Sequence, residues 1–246
     1  MNDGYDLLRD SLNELKIEYD EKQIEMFKAY YDLLIDWNLR MNLTAITELD
    51  EVIIKHFVDS VLICKFIDAD KDVSIIDVGT GAGFPGIPLK ILNPDCRMVL
   101  LDSLNKRVRF LEETVSVLGL ENVICLHGRA EDVARETKFR ENFDYSVSRA
   151  VANLSTLSEY CIPFLKPGGS FISYKSDKSE EEINESKAAI KLLNSKIVSV
   201  KEEILPHSDI VRKFVIVKSM GRVDKKYPRK AGVPIKNPLG RKVVLS

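Results

Sequence analysis

Between residues 73 and 218 short apolar runs alternate with longer stretches whose apolar positions recur every three or four residues. This alternation predicts a doubly wound α/β sheet. Strands are expected at 73–78, 97–101, 122–127, 143–148, 170–174, 196–204 and 211–218, and helices at 85–92, 105–118, 131–137, 154–165 and 179–193. The last two strands lie too close in sequence for a crossover helix, so they are expected to pair antiparallel. Before residue 68 the pattern is helical: Leu8, Leu12 and Leu15 recur at helix spacing, then Ile24, Phe27, Tyr31 and Leu34. "WNLRMNLTAI" (37–46) breaks that pattern, and Thr47 with Asp50 resembles the cap of a further helix. The expected organisation is a helical cap at 1–68 and an α/β domain at 69–246 that ends in a distinct segment, 218–246.

The first strand runs into "IIDVGTGAGFPGIPLKI" (75–91), with four glycines within eight residues. Glycines at that density let a chain turn sharply and let a ligand approach the backbone. Two registers compete. Gly81, Gly83 and Gly86 match the dinucleotide pattern G-x-G-x-x-G. Asp77, Gly79, Gly81 and Gly83 form instead an acidic residue followed by alternating glycines, the motif of enzymes that bind S-adenosylmethionine. A dinucleotide sets an anionic pyrophosphate on the helix N-terminus and disfavours a carboxylate nearby. S-adenosylmethionine has no phosphate, and Asp77 can favour its cationic end. Seven strands closing in an antiparallel hairpin is also the layout of class I methyltransferases, which use that cofactor.

Asp102 ends the second predicted strand. A carboxylate there can accept from ribose hydroxyls in either cofactor, or cap the helix that begins near Asn105. After the third strand, "HGRAEDV" places Ala130 and Glu131 where an adenine can lie, although Glu131 and Asp132 also suit the first turn of a helix. All these positions fall at the carboxyl ends of successive strands, where open α/β sheets bind ligands.

Charge adds a second theme. The formal net charge is -2, yet the chain from Lys218 onward holds nine of the 36 basic residues and one of the 38 acidic ones, Asp224. The remainder carries 27 basic against 37 acidic residues. Lys225, Lys226, Arg229 and Lys230, set among prolines and glycines, are the candidate contacts for an RNA backbone. Cys64, Cys96, Cys125 and Cys161 are widely spaced, with no Cys-x-x-Cys pair, so free thiols and no metal site are expected. The acidic N-terminus lacks an apolar core behind it, and the most apolar stretch contains Lys55, His56, Asp59 and Lys65. A cytoplasmic protein is expected.

"NLTAI" (42–46), "HFVDS" (56–60), the glycine loop, "LLDSLNKRVRFLEE" (100–113), "GRAED" (128–132), "SRAVANL" (148–154), "LKPGG" (165–169) and "YPRKAGVPIKNPL" (227–239) together resemble the RsmG (GidB) family of bacterial 16S rRNA guanine-N7 methyltransferases. The resemblance implies a class I methyltransferase fold with an N-terminal helical extension. It further implies S-adenosylmethionine as cofactor and methylation of guanine 527 in the 530 loop of 16S rRNA, free or in the 30S subunit. In the family, loss of activity is associated with streptomycin resistance. The cofactor contacts it carries over are Gly79, Phe84, Ala130, Glu131 and Arg149.

Residue chemistry agrees by elimination. After the fourth strand stands "SRAVAN" rather than the Asn/Asp-Pro-Pro-Tyr/Phe loop common in exocyclic amine methylation. Cys161, the nearest thiol for a cytosine C5 mechanism, falls at a predicted helix end. Guanine N7 already has an in-plane lone pair, so positioning suffices and no dedicated acid or base is expected. Arg149 can orient the cofactor carboxylate, stack on guanine or engage a phosphate. Two other readings stand beside this one: an NAD-dependent oxidoreductase, and a non-catalytic RNA-binding assembly factor.

Overall fold

The computed structural model describes residues 4–67, 72–149 and 152–240. Two helices open the chain, α1 (Asp6–Glu14) and α2 (Glu21–Asn38). The second starts with a capping box: Asp20 accepts from the Gln23 amide, and the Gln23 side chain accepts from the Asp20 amide. A one-turn α3 (Leu49–Val52) follows, then a π-helical turn Ile53–Val58, α4 (Asp59–Val61) and a 3-10 turn Leu62–Phe66. The cap expected from Thr47 and Asp50 is not formed. Glu48 takes that position without a side-chain bond, and the Thr47 carbonyl accepts from the Tyr31 hydroxyl.

The rest is β1 (Ser74–Val78), α5 (Gly86–Leu92), β2 (Arg97–Asp102), α6 (Asn105–Val117), β3 (Val123–His127), α7 (Ala130–Val133), β4 (Phe143–Ser148), α8 (Leu154–Cys161), β5 (Leu165–Ser176), α9 (Glu180–Leu192), β6 (Ser195–Ile204), β7 (Val211–Ser219) and α10 (Val233–Lys236). They form one seven-stranded sheet in the order β3-β2-β1-β4-β5-β7-β6. β7 alone runs opposite to the other six strands, antiparallel to both β5 and β6. The expected elements are present with two informative differences. β5 begins five residues early because Leu165 already pairs with Phe143, and "KPGG" forms an irregularity in the ladder before Ser170 pairs with Tyr145: Gly168 takes φ +85°, and Gly169 lies so close to the carbonyls of Phe143, Asp144 and Lys166 that a Cβ would sit 3.0 Å from each. α7 is a single turn, and the chain beyond it is held by Arg140, which donates to the carbonyls of Val223 and Tyr227 at 2.9 Å.

Two apolar layers flank the sheet. On one face α1, α2, the π-turn, α5 and α6 share a core with Ile75, Met98, Leu100, Ile172 and Phe214. The N-terminal helices thus form one layer of the α/β sandwich. On the other face α8 and α9 pack with Ile76, Val78, Phe171 and Val215, joined by Val223, Tyr227 and Leu239 of the C-terminal segment. Among the described residues no helix is long and apolar enough to cross a membrane.

One contact ties the N-terminal layer to the ligand-binding end of the sheet. The fully buried Tyr30 of α2 donates its hydroxyl to the carbonyl of Ala82 in the glycine loop. Removing that donor strands a buried carbonyl, which costs about 1–3 kcal/mol. Tyr30→Phe is therefore expected to lower unfolding stability by that amount in urea titration, with the denaturant slope unchanged.

Candidate active site

The glycine loop leaves β1 and is anchored to β2 before it turns. The amides of Gly79 and Thr80 both donate to the Leu101 carbonyl, at 2.8 and 3.1 Å. The amide of Gly81 donates to Asp102 Oδ2 at 2.9 Å. Gly81 has φ +63°, and a Cβ built there would meet nothing within 4 Å, so its missing side chain leaves open space. Gly83, at φ +95°, is needed for packing: a Cβ would lie 2.5 Å from Ile87 and 2.8 Å from the Tyr30 hydroxyl.

Asp77 lies behind this loop. It is wholly buried, and its Oδ2 accepts from Thr80 Oγ1 at 2.6 Å and from the Gly86 amide at 2.8 Å. Its Oδ1 has no partner among the described residues. The primary role its position gives it is to staple the loop to the start of α5. That arrangement also decides between the two glycine registers. The amide a dinucleotide pyrophosphate would seek at the helix N-terminus is already taken by a carboxylate.

Asp102, also buried, divides its oxygens between the Gly81 amide and the Leu104 amide, the latter at 2.8 Å, with Arg107 3.5 Å away. The turn-forming role is thus seen directly. A carboxylate with two backbone donors still has acceptor capacity for ribose hydroxyls.

Beyond the carboxyl ends of β1, β2 and β3 opens a cavity of about 380 Å³, lined by Gly79, Leu104, Ala130, Glu131, Gly232 and Ile235 among others. Gly79, Ala130 and Glu131 therefore meet in one place. A groove of about 400 Å³ at the opposite ends of the same strands has no glycine turn and none of these residues. Glu131 Oε1 accepts from the Gly232 amide at 2.9 Å, and Tyr160 lines the same cavity. Burial, helped by the neighbouring Glu131 charge, pushes the Tyr160 phenol up to about 12.

Phe84 and Arg149 belong to a second cluster at the mouth of the sheet. The Arg149 guanidinium lies 5.0 Å from the Phe84 ring centroid, and His56 stacks on the same ring at 4.5 Å. Nη1 of Arg149 donates to Asp59 Oδ2 at 2.9 Å and to the Lys55 carbonyl at 3.1 Å, and Nη2 lies 3.3 Å from His56 Nδ1. Asp59, fully buried, also accepts from Arg212 at 2.7 and 3.0 Å. Burial and then the Arg149 charge push the His56 pKa down to about 4, so the ring is neutral at physiological pH.

The four candidate basic contacts of the C-terminal segment do not share one environment. Arg229 is turned inward: its backbone amide donates to Glu159 at 2.7 Å and its guanidinium to the same carboxylate at 2.7 and 2.9 Å. Glu159 is completely buried, and a desolvated carboxylate requires such a partner. Lys225, Lys226 and Lys230 are exposed, Lys226 forming a surface pair with Asp224 at 3.2 Å. The segment also closes over the cavity through Gly232 and Ile235. Sequence reasoning missed Tyr30, Glu159 and Gly232 here, because nothing local signals a partner 52 to 101 residues away.

The residues present fit S-adenosylmethionine. The cavity is lined by Gly79 of the glycine loop, the loop is open at Gly81, Asp77 Oδ1 is a buried acceptor without a donor among the described residues, and Arg149 keeps its Nε–H and one Nη2–H without partners among them. A cationic amino group and a carboxylate match those groups in charge.

Two outcomes are expected. Burial pushes the Asp77 carboxyl up from 3.8 to about 7. Because its folded pKa is raised, its contribution to stability is full below pH 4 and is lost as pH rises through about 7. The stability of Asp77→Asn relative to the unaltered protein should therefore shift in favour of the variant between pH 5 and pH 8 in chemical denaturation; parallel pH profiles would contradict this. Arg229→Ala, which leaves Glu159 buried without its cation, should destabilise the fold by about 3–5 kcal/mol, whereas Lys230→Ala should leave the melting temperature unchanged.

Comparison with known proteins agrees with this geometry. The family model for GidB, rRNA small subunit methyltransferase G, matches residues 23–211. The chain is 48% identical over 233 residues to the ribosomal RNA small subunit methyltransferase G of Alkaliphilus metalliredigens, covering 95% of this chain and 98% of that one. It is also 48% identical over 235 residues to the Clostridium tetani protein of the same name, covering 96% and 98%. A SAM dependent methyltransferase from Aquifex aeolicus has the same fold at TM-score 0.52 and 18% identity, covering 70% of this chain and 94% of that one. TYW2 of Pyrococcus horikoshii, solved with MeSAdo, aligns at TM-score 0.53 and 12% identity, covering 66% and 62%. At such identities these two structures speak for the fold alone. The chain belongs to the rRNA small subunit methyltransferase G (GidB) family of S-adenosylmethionine-dependent methyltransferases.

Proposed function

We propose that this protein methylates N7 of guanine 527 in the 530 loop of 16S rRNA, free or in the 30S subunit or its precursor. The observation that carries the reading is the union of a near full-length family match with a cavity, at the carboxyl ends of β1 to β3, built from Gly79, Ala130 and Glu131.

S-adenosylmethionine, when bound, supplies an electrophilic methyl group on a sulfonium. The residues that would hold it are Gly79 and Gly81 through their backbone, Asp102 through free acceptor positions, Ala130 and Glu131 at the cavity wall, and Phe84 with Arg149 at the mouth. Asp77 keeps the loop in shape and places an unpaired acceptor behind it. N7 of guanine carries its own lone pair, so what the protein must do is hold the base in line and keep water out. Phe84, His56 and the C-terminal strap over the cavity supply the apolar enclosure for that. His56 is neutral, stacked and bonded to Thr44 Oγ1 at 2.8 Å, which suits it to orient neighbours.

The body of the protein is acidic, so attraction to RNA must come from local cations. Lys225, Lys226 and Lys230 stand on the outside of the strap whose inner side closes the cavity. One segment then serves both substrates.

The direct test is mass-spectrometric mapping of N7-methylguanine in 16S rRNA from cells with and without the protein. The modification should vanish at position 527 alone; methylation elsewhere, or unchanged, refutes the assignment. Turnover of labelled S-adenosylmethionine on 30S particles distinguishes an enzyme from an assembly factor. Replacing Lys225, Lys226 and Lys230 together by alanine should flatten the slope of log affinity against log salt by up to about 2 for single-stranded RNA. Affinity for S-adenosylhomocysteine should stay within about twofold of the unaltered protein, since these residues are exposed and none of them lines the cavity.

A further inference from the structure

Thr44, His56, Asp59, Phe84 and Arg149 come from four separated stretches of the chain, yet they form one hydrogen-bonded cluster at the mouth of the sheet. The π-helical turn Ile53–Val58 is what gathers it. Its wider turn presents the Lys55 carbonyl and the His56 ring together, and the next residue is Asp59. Such turns are rare and are common at functional sites.

The partners fix the state of each group. Arg149 has five N–H donors and no acceptor. Both Nη1 hydrogens are taken by Asp59 and the Lys55 carbonyl, and one Nη2 hydrogen is directed at His56 Nδ1. His56 Nδ1 also lies 3.1 Å from the Lys55 carbonyl, and it accepts from Arg149 when its proton sits on Nε2, where Thr44 Oγ1 lies 2.8 Å away to receive it. Thr44 Oγ1 is itself held by the Ile46 amide at 3.0 Å. Below the guanidinium is the Phe84 ring, which blocks one face. Arg212 grips both oxygens of Asp59, Oδ1 at 2.7 Å and Oδ2 at 3.0 Å, so the carboxylate cannot rotate away from Arg149.

What remains of Arg149 is the Nε–H and one Nη2–H, without partners among the described residues. Two donors on one planar group suit an anionic carboxylate in a bidentate contact. We propose that His56 and Asp59 are positioning residues that hold these two donors of Arg149 toward the carboxylate of bound S-adenosylmethionine. The assignment rests on the methyltransferase reading of the cavity. It gives "NLTAI", "HFVDS" and "SRAVANL" a shared physical role, since each contributes a member of a single arginine mount.

The test compares two ligands by calorimetry on the full chain: S-adenosylhomocysteine, which carries the carboxylate, and 5′-methylthioadenosine, which lacks it. His56→Phe keeps a ring against Phe84 but removes the acceptor. It should weaken S-adenosylhomocysteine about tenfold or more while leaving methylthioadenosine within about twofold. His56→Asn, whose Oδ1 stands near the place of Nδ1, should recover most of that loss. Asp59→Asn should behave as His56→Phe does; if it does not fold, Thr44→Val, which removes the acceptor that fixes the His56 proton, takes its place with the same selectivity. Equal losses for both ligands would mean a scaffold role and overturn the proposal, as would unchanged affinity for S-adenosylhomocysteine, the result expected if Arg149 serves an RNA phosphate. Failure of the unaltered protein to bind either ligand would overturn the cofactor reading itself, and this assignment with it.

Discussion

The buried carboxylate of Asp77 is the constraint on which the active end of this molecule depends. It sits at the end of a central strand, wholly buried, and it is tolerated because Thr80 and Gly86 donate to one of its oxygens. Those two bonds bend the chain back on itself within nine residues, a path that needs positive φ at Gly79, Gly81 and Gly83. The loop so shaped offers a bare backbone to the cavity on one side and aims Phe84 at His56 and Arg149 on the other. The helical layer enters through Tyr30, whose hydroxyl reaches the same loop. Fold stability and site geometry therefore share atoms.

Two further acids, Glu131 and Glu159, do for the C-terminal segment what Asp77 does for the loop. Each is buried and each is satisfied by that segment, Glu131 by the Gly232 amide and Glu159 by the amide and guanidinium of Arg229. Thr156 adds a bond to the Pro234 carbonyl at 3.0 Å, and Arg140 binds carbonyls at the start of the segment. An irregular stretch that looks like a solvated tail is thereby a wall of the cavity. Its basic residues divide by partner: the arginine whose charge is answered internally faces in, and the lysines without buried partners face out.

The cluster around Arg149 shows how a neutral histidine and a carboxylate can share one cation. Asp59 lies between two guanidiniums, leaving a net positive charge at the mouth. That field and the burial of the ring keep His56 unprotonated, which is the state in which it can accept from Arg149. Each member stabilises the state its neighbour requires, and a preorganised guanidinium loses little further freedom on meeting an anion.

The α/β architecture was legible in the sequence because it follows from local periodicity. Apolar runs of strand length, helices at a 3.6-residue repeat and a short link before the last strand leave few topologies, and the sheet has the expected seven strands with β7 reversed. The glycine motif and the acids after β2 and β3 were equally visible, since strand ends concentrate ligand groups. What the sequence by itself could not decide was which side of each group is occupied. Asp77 reads as a ligand contact alone until the Thr80 hydroxyl and the Gly86 amide are found on its Oδ2. Arg229 reads as an RNA contact until Glu159, 70 residues earlier, is found beneath it. His56 and Asp59 look like ordinary helix residues until Arg149, 93 and 90 residues away, is brought between them. Periodicity reports burial along one element. Hydrogen-bond partners of buried charges are set by contacts between elements distant in the chain, and only the tertiary structure determines those.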